Sequence, residues 1–189
     1  EFFFLEMNTR IQVEHPVTEM TTGVDLVQKQ LEVAAGLPLG MSQQDVTQSG
    51  HSIEARVYAE DPSNGFLPSI GELAVWRPPS GPGIRVDSGV REGDSVTIEF
   101  DPMLAKVIVH APDRPSAIRR LDQALSQIIL HGVRSNIGFC REMLVSDSFS
   151  GPGVTTDHLD DMDLPLRPEE PINGILSVIA SAAERLGLH

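Results

Sequence analysis

The sequence predicts an α+β fold, a mostly antiparallel sheet with flanking helices. Three observations predict it. Residues 51–110 break into short alternating runs separated by Pro- and Gly-rich punctuation, too closely spaced for helical crossovers. Residues 113–145 carry apolar positions at helical spacing behind capping residues. Residues 25–35 do the same on a smaller scale.

Taken in order, Phe2, Phe3, Phe4 and Leu5 form an apolar run typical of a strand buried on both faces. Residues 6–14 alternate as an extended segment, and residues 18–22 make a short helical turn after Pro16. Asp25 caps a helix to about Ala35, with Leu26, Leu31 and Val33 apolar and Gly36 as the stop. Residues 37–50 are a polar connector. Residues 51–59 are a strand with Ile53, Ala55 and Val57 on one side and Ser52, Glu54, Arg56 and Tyr58 on the other. Residues 61–71 must turn, and 72–77, 84–87, 95–100 and 104–110 are further strands, broken at 78–83 and 89–93. Asp113 opens a helix with Pro115 in its first turn, a stripe of Ile118, Leu121, Leu125, Ile128 and Ile129, and Gly132 at its end. Asn136 caps a second helix through Leu144. Residues 146–168 read as a polar, acidic loop, 165–171 as a linker, and Ile175, Val178, Ile179, Ala182 and Leu186 as a last helix. No internal repeat is visible.

Composition narrows the function classes. With 189 residues and 40% hydrophobic content, the chain can bury a real core. A net charge of −13, with Lys29 and Lys106 the only lysines, argues against nucleic acid or an anionic membrane as the main partner. One cysteine, Cys140, excludes an internal disulfide and suits a reducing compartment. Its neighbours Ile137, Phe139 and Met143 point to an inert, buried thiol. No signal peptide or transmembrane run is present.

The chemistry concentrates in residues 6–14. Period two puts Glu6, Asn8, Arg10, Gln12 and Glu14 on one side, with Met7, Ile11 and Val13 on the other and Thr9 as the exception. Carboxylate and amide oxygens suit Mg²⁺, a planar guanidinium suits a bidentate oxyanion, and a carboxylate beyond it can take a proton. The plain alternative is the wet face of a sheet.

The run Phe3-Phe4-Leu5-Glu6-Met7-Asn8-Thr9-Arg10-Ile11-Gln12-Val13-Glu14-His15-Pro16-Val17-Thr18-Glu19 resembles the signature of biotin carboxylases, the ATP-grasp components of biotin-dependent carboxylases. Gly50 through Pro62, Phe66-Leu67-Pro68-Ser69, Gly71 and Asp101-Pro102-Met103-Leu104-Ala105-Lys106 match as well, and Gly132-Val133-Arg134-Ser135-Asn136 matches more loosely. The resemblance covers roughly residues 1–160. It implies the end of an ATP-grasp domain at 1–40, the biotin carboxylase C-terminal domain at 41–160, and a linker and helix at 161–189.

What the resemblance implies is ATP-dependent carboxylation of biotin by bicarbonate, as part of an acyl-CoA carboxylase. ATP forms carboxyphosphate, whose CO₂ is captured by N1′ of biotin. Glu6 then resembles the bridging carboxylate for Mg²⁺ or Mn²⁺, and Asn8 supplies an amide oxygen to one metal. Arg10 resembles the bicarbonate-binding arginine, with Gln12 and the Val13 backbone completing the cradle. Glu14 resembles the general base, and Arg56 the arginine that stabilises the biotin enolate. His15 is expected to make a structural hydrogen bond before Pro16, and His51 to be structural or near the nucleotide. Glu19 and Glu60 are expected to cap or to pair with arginines. Arg85 falls where the family makes its dimer contact, a solvated arginine being the alternative.

The implied partners are a biotin carboxyl carrier domain, a carboxyltransferase component and a second copy of the parent. The implied location is the cytoplasm, or the mitochondrial matrix in a eukaryote. The chain opens without Met inside an apolar run, contains no Gly-rich phosphate loop and no Met-Lys-Met biotin-attachment motif. The expectation is therefore a fragment, inactive alone, whose ATP-binding half and biotin carrier lie elsewhere. The stretch beyond residue 162 favours a longer α-subunit, as in propionyl-CoA or methylcrotonyl-CoA carboxylases. Two other readings stay open: a non-catalytic structural or dimerisation half, and another ATP-grasp ligase of the carbamoyl-phosphate or purine-pathway type.

Overall fold

A computed structural model describes residues 3–151 and 154–155. The last predicted helix, the linker before it and most of the 146–168 stretch lie outside the described residues. Helix α1 (His15–Thr22) starts with Pro16 in its first turn, where the missing N–H costs nothing. It stops at Gly23, whose φ of 73° turns the chain. Helix α2 (Leu26–Ala34) begins where the Asp25 carboxylate accepts the Gln28 N–H at 2.7 Å, the cap the sequence predicts. In the connector, Ser42 and Asp45 close a capping box around a single 3₁₀ turn.

The strands follow as β1 (His51–Tyr58), β2 (Glu60–Asp61), β3 (Leu67–Pro68), β4 (Gly71–Glu72), β5 (Val75–Arg77), β6 (Ile84–Ser88), β7 (Ser95–Val96) and β8 (Met103–Ala111). Helix α3 (Arg114–Ser126), strand β9 (Ile129–His131) and helices α4 (Ile137–Val145) and α5 (Asp147–Ser150) complete the described chain. The central sheet has the order β1-β8-β6 and is antiparallel throughout. Small antiparallel pairs β2–β3, β4–β7 and β5–β9 surround it.

Period two in β1 and β8 splits the sheet into two unlike faces. Ile53, Ala55, Val57, Val107 and Val109 face one way and form the core with Ala117, Leu121, Ala124 and Leu125 of α3 and Leu144 of α4. The other face carries Glu54, Arg56, Lys106, Arg85 and Asp87 around a fully buried Ile108, and α1 lies against β1 and β8. The apolar face holds the domain together, so the polar face is free to hold a site.

Four expectations change. The run through Leu5 is no buried strand: Phe3, Phe4 and Leu5 are 84%, 80% and 92% exposed, because no described strand offers this segment hydrogen-bonding partners. Helix α3 stops at Ser126, and Ile129 joins β9, since a short apolar run beyond a helix also suits a strand. Ser95–Val96 is all that pairs of the 95–100 stretch, with Ile98 and Phe100 exposed. The acidic loop holds the short α5, capped by the Ser146 hydroxyl. Gly132 leaves β9 at φ 109°, and a Cβ there would overlap the Glu72 carbonyl oxygen.

Candidate active site

The site residues reach the domain through the join between residues 3–14 and α1. Glu14 occupies the N-cap position of α1, yet its carboxylate does not cap the helix. It accepts a hydrogen bond from Nη2 of Arg56 at 2.8 Å, across 42 positions of sequence. Adjacency along the chain suggests Arg10 as the partner of Glu14, but Nη1 of Arg10 donates to the Ile11 carbonyl instead.

Both peptide planes around Val13 are pinned. The Gln12 carbonyl accepts the His15 N–H at 3.2 Å and faces His15 Nδ1 at 2.7 Å, so the expected structural hydrogen bond of His15 is present. The Val13 carbonyl accepts Nζ of Lys106 at 2.9 Å. Lys106 also meets Asp87 at 3.4 Å. Asp87 takes a bidentate grip from Arg85 at 2.8 and 2.9 Å, and Arg85 reaches Glu19 of α1 at 2.6 Å. The other Glu19 oxygen accepts the Leu26 N–H at 2.7 Å, opening α2. Burial alone would raise the Asp87 carboxyl, but Arg85 and Lys106 outweigh it and hold it below its ordinary value. Arg85 is therefore not a solvated arginine; it joins β6 to α1. Glu19 pairs with an arginine as expected.

Glu54 changes character between sequence and structure. Alternation beside Arg56 suggests a surface pair, but the Glu54 side chain is 5% exposed. One oxygen lies 3.6 Å from Nε of Arg56, and the other is buried without a hydrogen-bonding partner among the described residues. Burial pushes the carboxyl above its ordinary 4.5, against the pull of Lys106 and Arg56. A carboxyl raised in the folded state binds its proton more tightly there than in the unfolded chain. Its contribution to stability is then fully present below pH 4.5 and is lost as pH rises through the folded value. Glu54→Gln should remove that dependence. Followed from about pH 4 to about pH 8, the Tm difference should move steadily in the variant's favour; a constant difference would show that Glu54 titrates normally.

Arg10, Gln12 and Glu14 line one open cleft of about 830 Å³ together with Leu26, Lys29 and Val33 of α2. Arg56 joins them through Glu14. Glu6 and Asn8 are exposed and outside the cleft. One carboxylate and one amide fit two places on a hard cation that keeps water and phosphate oxygens for the rest. Among the described residues no group of three or more His, Cys, Asp or Glu side chains could hold a metal on its own. Cys140 is partly exposed, and burial pushes its thiol up to about 12, away from the reactive thiolate. Sequence reasoning missed Lys106 and Asn136. The signal for Lys106 was a charge in a strand otherwise apolar up to His110, inside a stretch already singled out. For Asn136 it offered a helix cap, yet the side chain makes no cap. It accepts the Tyr58 N–H at 2.9 Å and donates to the Arg56 carbonyl at 3.0 Å, while its own N–H donates to the Tyr58 carbonyl at 3.2 Å.

A model of the biotin carboxylase C-terminal domain matches residues 54–161, more than half of the chain. The chain belongs to the biotin carboxylase family. Residues 1–42 match the ATP-binding domain of the carbamoyl-phosphate synthase L chain. The mouse mitochondrial propionyl-CoA carboxylase alpha chain is 47% identical over 163 residues, 85% of this chain and 22% of that one. Biotin carboxylase 1 of Bacillus subtilis is 44% identical, over 86% of this chain and 36% of that one. Among solved structures, the biotin carboxylase domain dimer of Hydrogenobacter thermophilus 2-oxoglutarate carboxylase, in complex with MgADP, ADP and bicarbonate, superposes with a TM-score of 0.82. It is 44% identical over 84% of this chain and 35% of that one. The chain thus spans between about a fifth and about a third of the length of these biotin carboxylase relatives.

Proposed function

We propose that a polypeptide carrying this sequence is the biotin carboxylase component of a biotin-dependent acyl-CoA carboxylase, using ATP and bicarbonate to carboxylate biotin on a carrier. The observation that carries this reading is the 2.8 Å contact between Glu14 and Arg56. It joins a group able to remove a proton to a group able to receive the negative charge that removal creates.

The chain's own residues divide the work. Arg10 presents a planar fork to bicarbonate, with Gln12 and the Val13 backbone completing the cradle. Glu14 takes the proton of bicarbonate, leaving an oxyanion able to attack the γ-phosphorus of ATP and give carboxyphosphate and ADP. Carboxyphosphate splits at its C–O bond into CO₂ and phosphate, and Glu14 passes its proton to that phosphate. Glu14 then takes the N1′ proton of biotin, Arg56 stabilises the charge this builds on the ureido oxygen, and N1′ attacks CO₂ to form the N–C bond. Mg²⁺ or Mn²⁺, held in part by Glu6 and Asn8, would neutralise the triphosphate.

The partners in this reading are a biotin carboxyl carrier domain, a carboxyltransferase and a second copy of the parent. The dimeric Hydrogenobacter structure and the alpha-chain relative support it. The same reading places the domain boundary near residue 40, the end of the C-terminal domain near 160, and the protein in the cytoplasm or the mitochondrial matrix. Mitochondrial relatives support the latter. No described helix is long and apolar enough to cross a membrane. To the 189-residue chain alone we assign no turnover, because the segment bearing Glu6 and Asn8 is exposed and belongs to no described strand or helix.

The test is bicarbonate-dependent ATP hydrolysis with Mg²⁺ and free biotin, run on the chain and on a full-length parent. Biotin-stimulated turnover in the parent alone is expected. Turnover in neither would favour another ATP-grasp ligase or a structural relative.

A further inference from the structure

We infer that Lys106 is a positioning residue for carboxylation, holding the Val13–Glu14 peptide against the sheet so that Glu14 meets Arg56. This rests on the function proposed above. Lys106 sits in β8, the middle strand, where its Cα pairs with that of Arg56 on one side and that of Asp87 on the other. The three side chains form one row across the polar face. The Lys106 side chain is 12% exposed. Such a site disfavours a charge unless it is well satisfied, and an apolar residue would cost less in the middle of a strand flanked by buried Ala105 and Val107. The charge therefore needs an account other than packing.

The account lies in what Nζ touches. Its hydrogen bond to the Val13 carbonyl fixes the Val13–Glu14 peptide plane, because the peptide is rigid. His15 fixes the preceding plane through the Gln12 carbonyl. Together they set the direction of the Val13 N–H and the starting point of the Glu14 side chain. Asp87 steers the ammonium from the far side and is itself held by Arg85. Glu54 lies within reach of the Lys106 charge, and Arg56, opposite Lys106 in the β1–β8 pair, holds Glu14. Without the ammonium, the Val13 carbonyl loses its partner and the join to α1 keeps only its side-chain ties, Glu14 to Arg56 and Glu19 to Arg85.

Lys106→Met in a full-length parent tests this, since Met keeps the apolar stem and removes the ammonium. The KM for bicarbonate should rise about tenfold or more and kcat should fall, with the KM for ATP within about twofold, because the displaced peptide carries both the Val13 of the cradle and Glu14. Equal shifts in both, or neither, would overturn the inference. Should the Met variant fail to fold, Lys106→Leu, which offers the Val13 carbonyl no donor, is read the same way. If wild type shows no bicarbonate-dependent turnover, the function reading falls but the positioning is still measurable. Amide exchange in residues 11–17 should then be about tenfold faster in the variant with α3 unchanged, and unchanged exchange in 11–17 would overturn it.

Discussion

Replacing Glu14 or Arg10 by Ala in a full-length parent should lower bicarbonate-dependent ATP turnover by about 10²–10³-fold, the usual cost of one lost catalytic contact. The structure makes this a clean test, because neither residue carries much of the fold. Arg10 is exposed, and its described hydrogen bond goes to the neighbouring Ile11 carbonyl. The Glu14 side chain is 55% exposed, and an ion pair in that setting is worth about 1 kcal/mol at most. Tm should therefore stay near wild type while turnover collapses. Near-normal turnover in either variant would overturn the assignment. A joint loss of stability and activity would reduce the pair to a structural role.

Leu121→Ala should lower unfolding stability by about 2–5 kcal/mol, read as a shifted urea midpoint of the C-terminal domain. Leu121 is 1% exposed at the centre of the α3 face that packs on β1 and β8. Its neighbours Ala117 and Ala124 are already small and cannot swell into the gap, so the cavity term adds to the transfer term. A domain of this size is stable by only about 5–15 kcal/mol, so the loss is a large share. The same sheet carries Arg56 and Lys106 on its other face, so a loosened core also blurs the site. A change below about 1 kcal/mol would mean that the core is not centred where the structure puts it.

Local chemistry was legible in the sequence. The Asp25 and Asp113 caps, the alternation of β1 and the Ile118, Leu121 and Leu125 part of the α3 stripe depend on residues a few positions apart, and all stand in the structure. What failed locally failed through ambiguity, as at Ile129, where a short apolar run suits a strand and a helix equally. Residues 6–14 gave the strongest chemical signal, yet their alternation does not make them a paired strand. Pairing is a property of neighbours, and alternation cannot supply them. The contacts that define the site were not legible. Arg56 with Glu14 spans 42 positions and Lys106 with Val13 spans 93, distances that only the fold closes. The burial of Glu54 was hidden for the same reason, since its cover comes from elsewhere in the chain.

Asn136 has a consequence for whatever docks beside Arg56. The Arg56 carbonyl and both backbone groups of Tyr58 are already engaged by this one residue. A visiting segment cannot register itself there by adding a strand, because the ladder positions it would need are taken. Recognition at that rim falls to side chains and to the shape of the visitor. On the function proposed above, that favours recognition of a protruding group over recognition of the backbone that carries it.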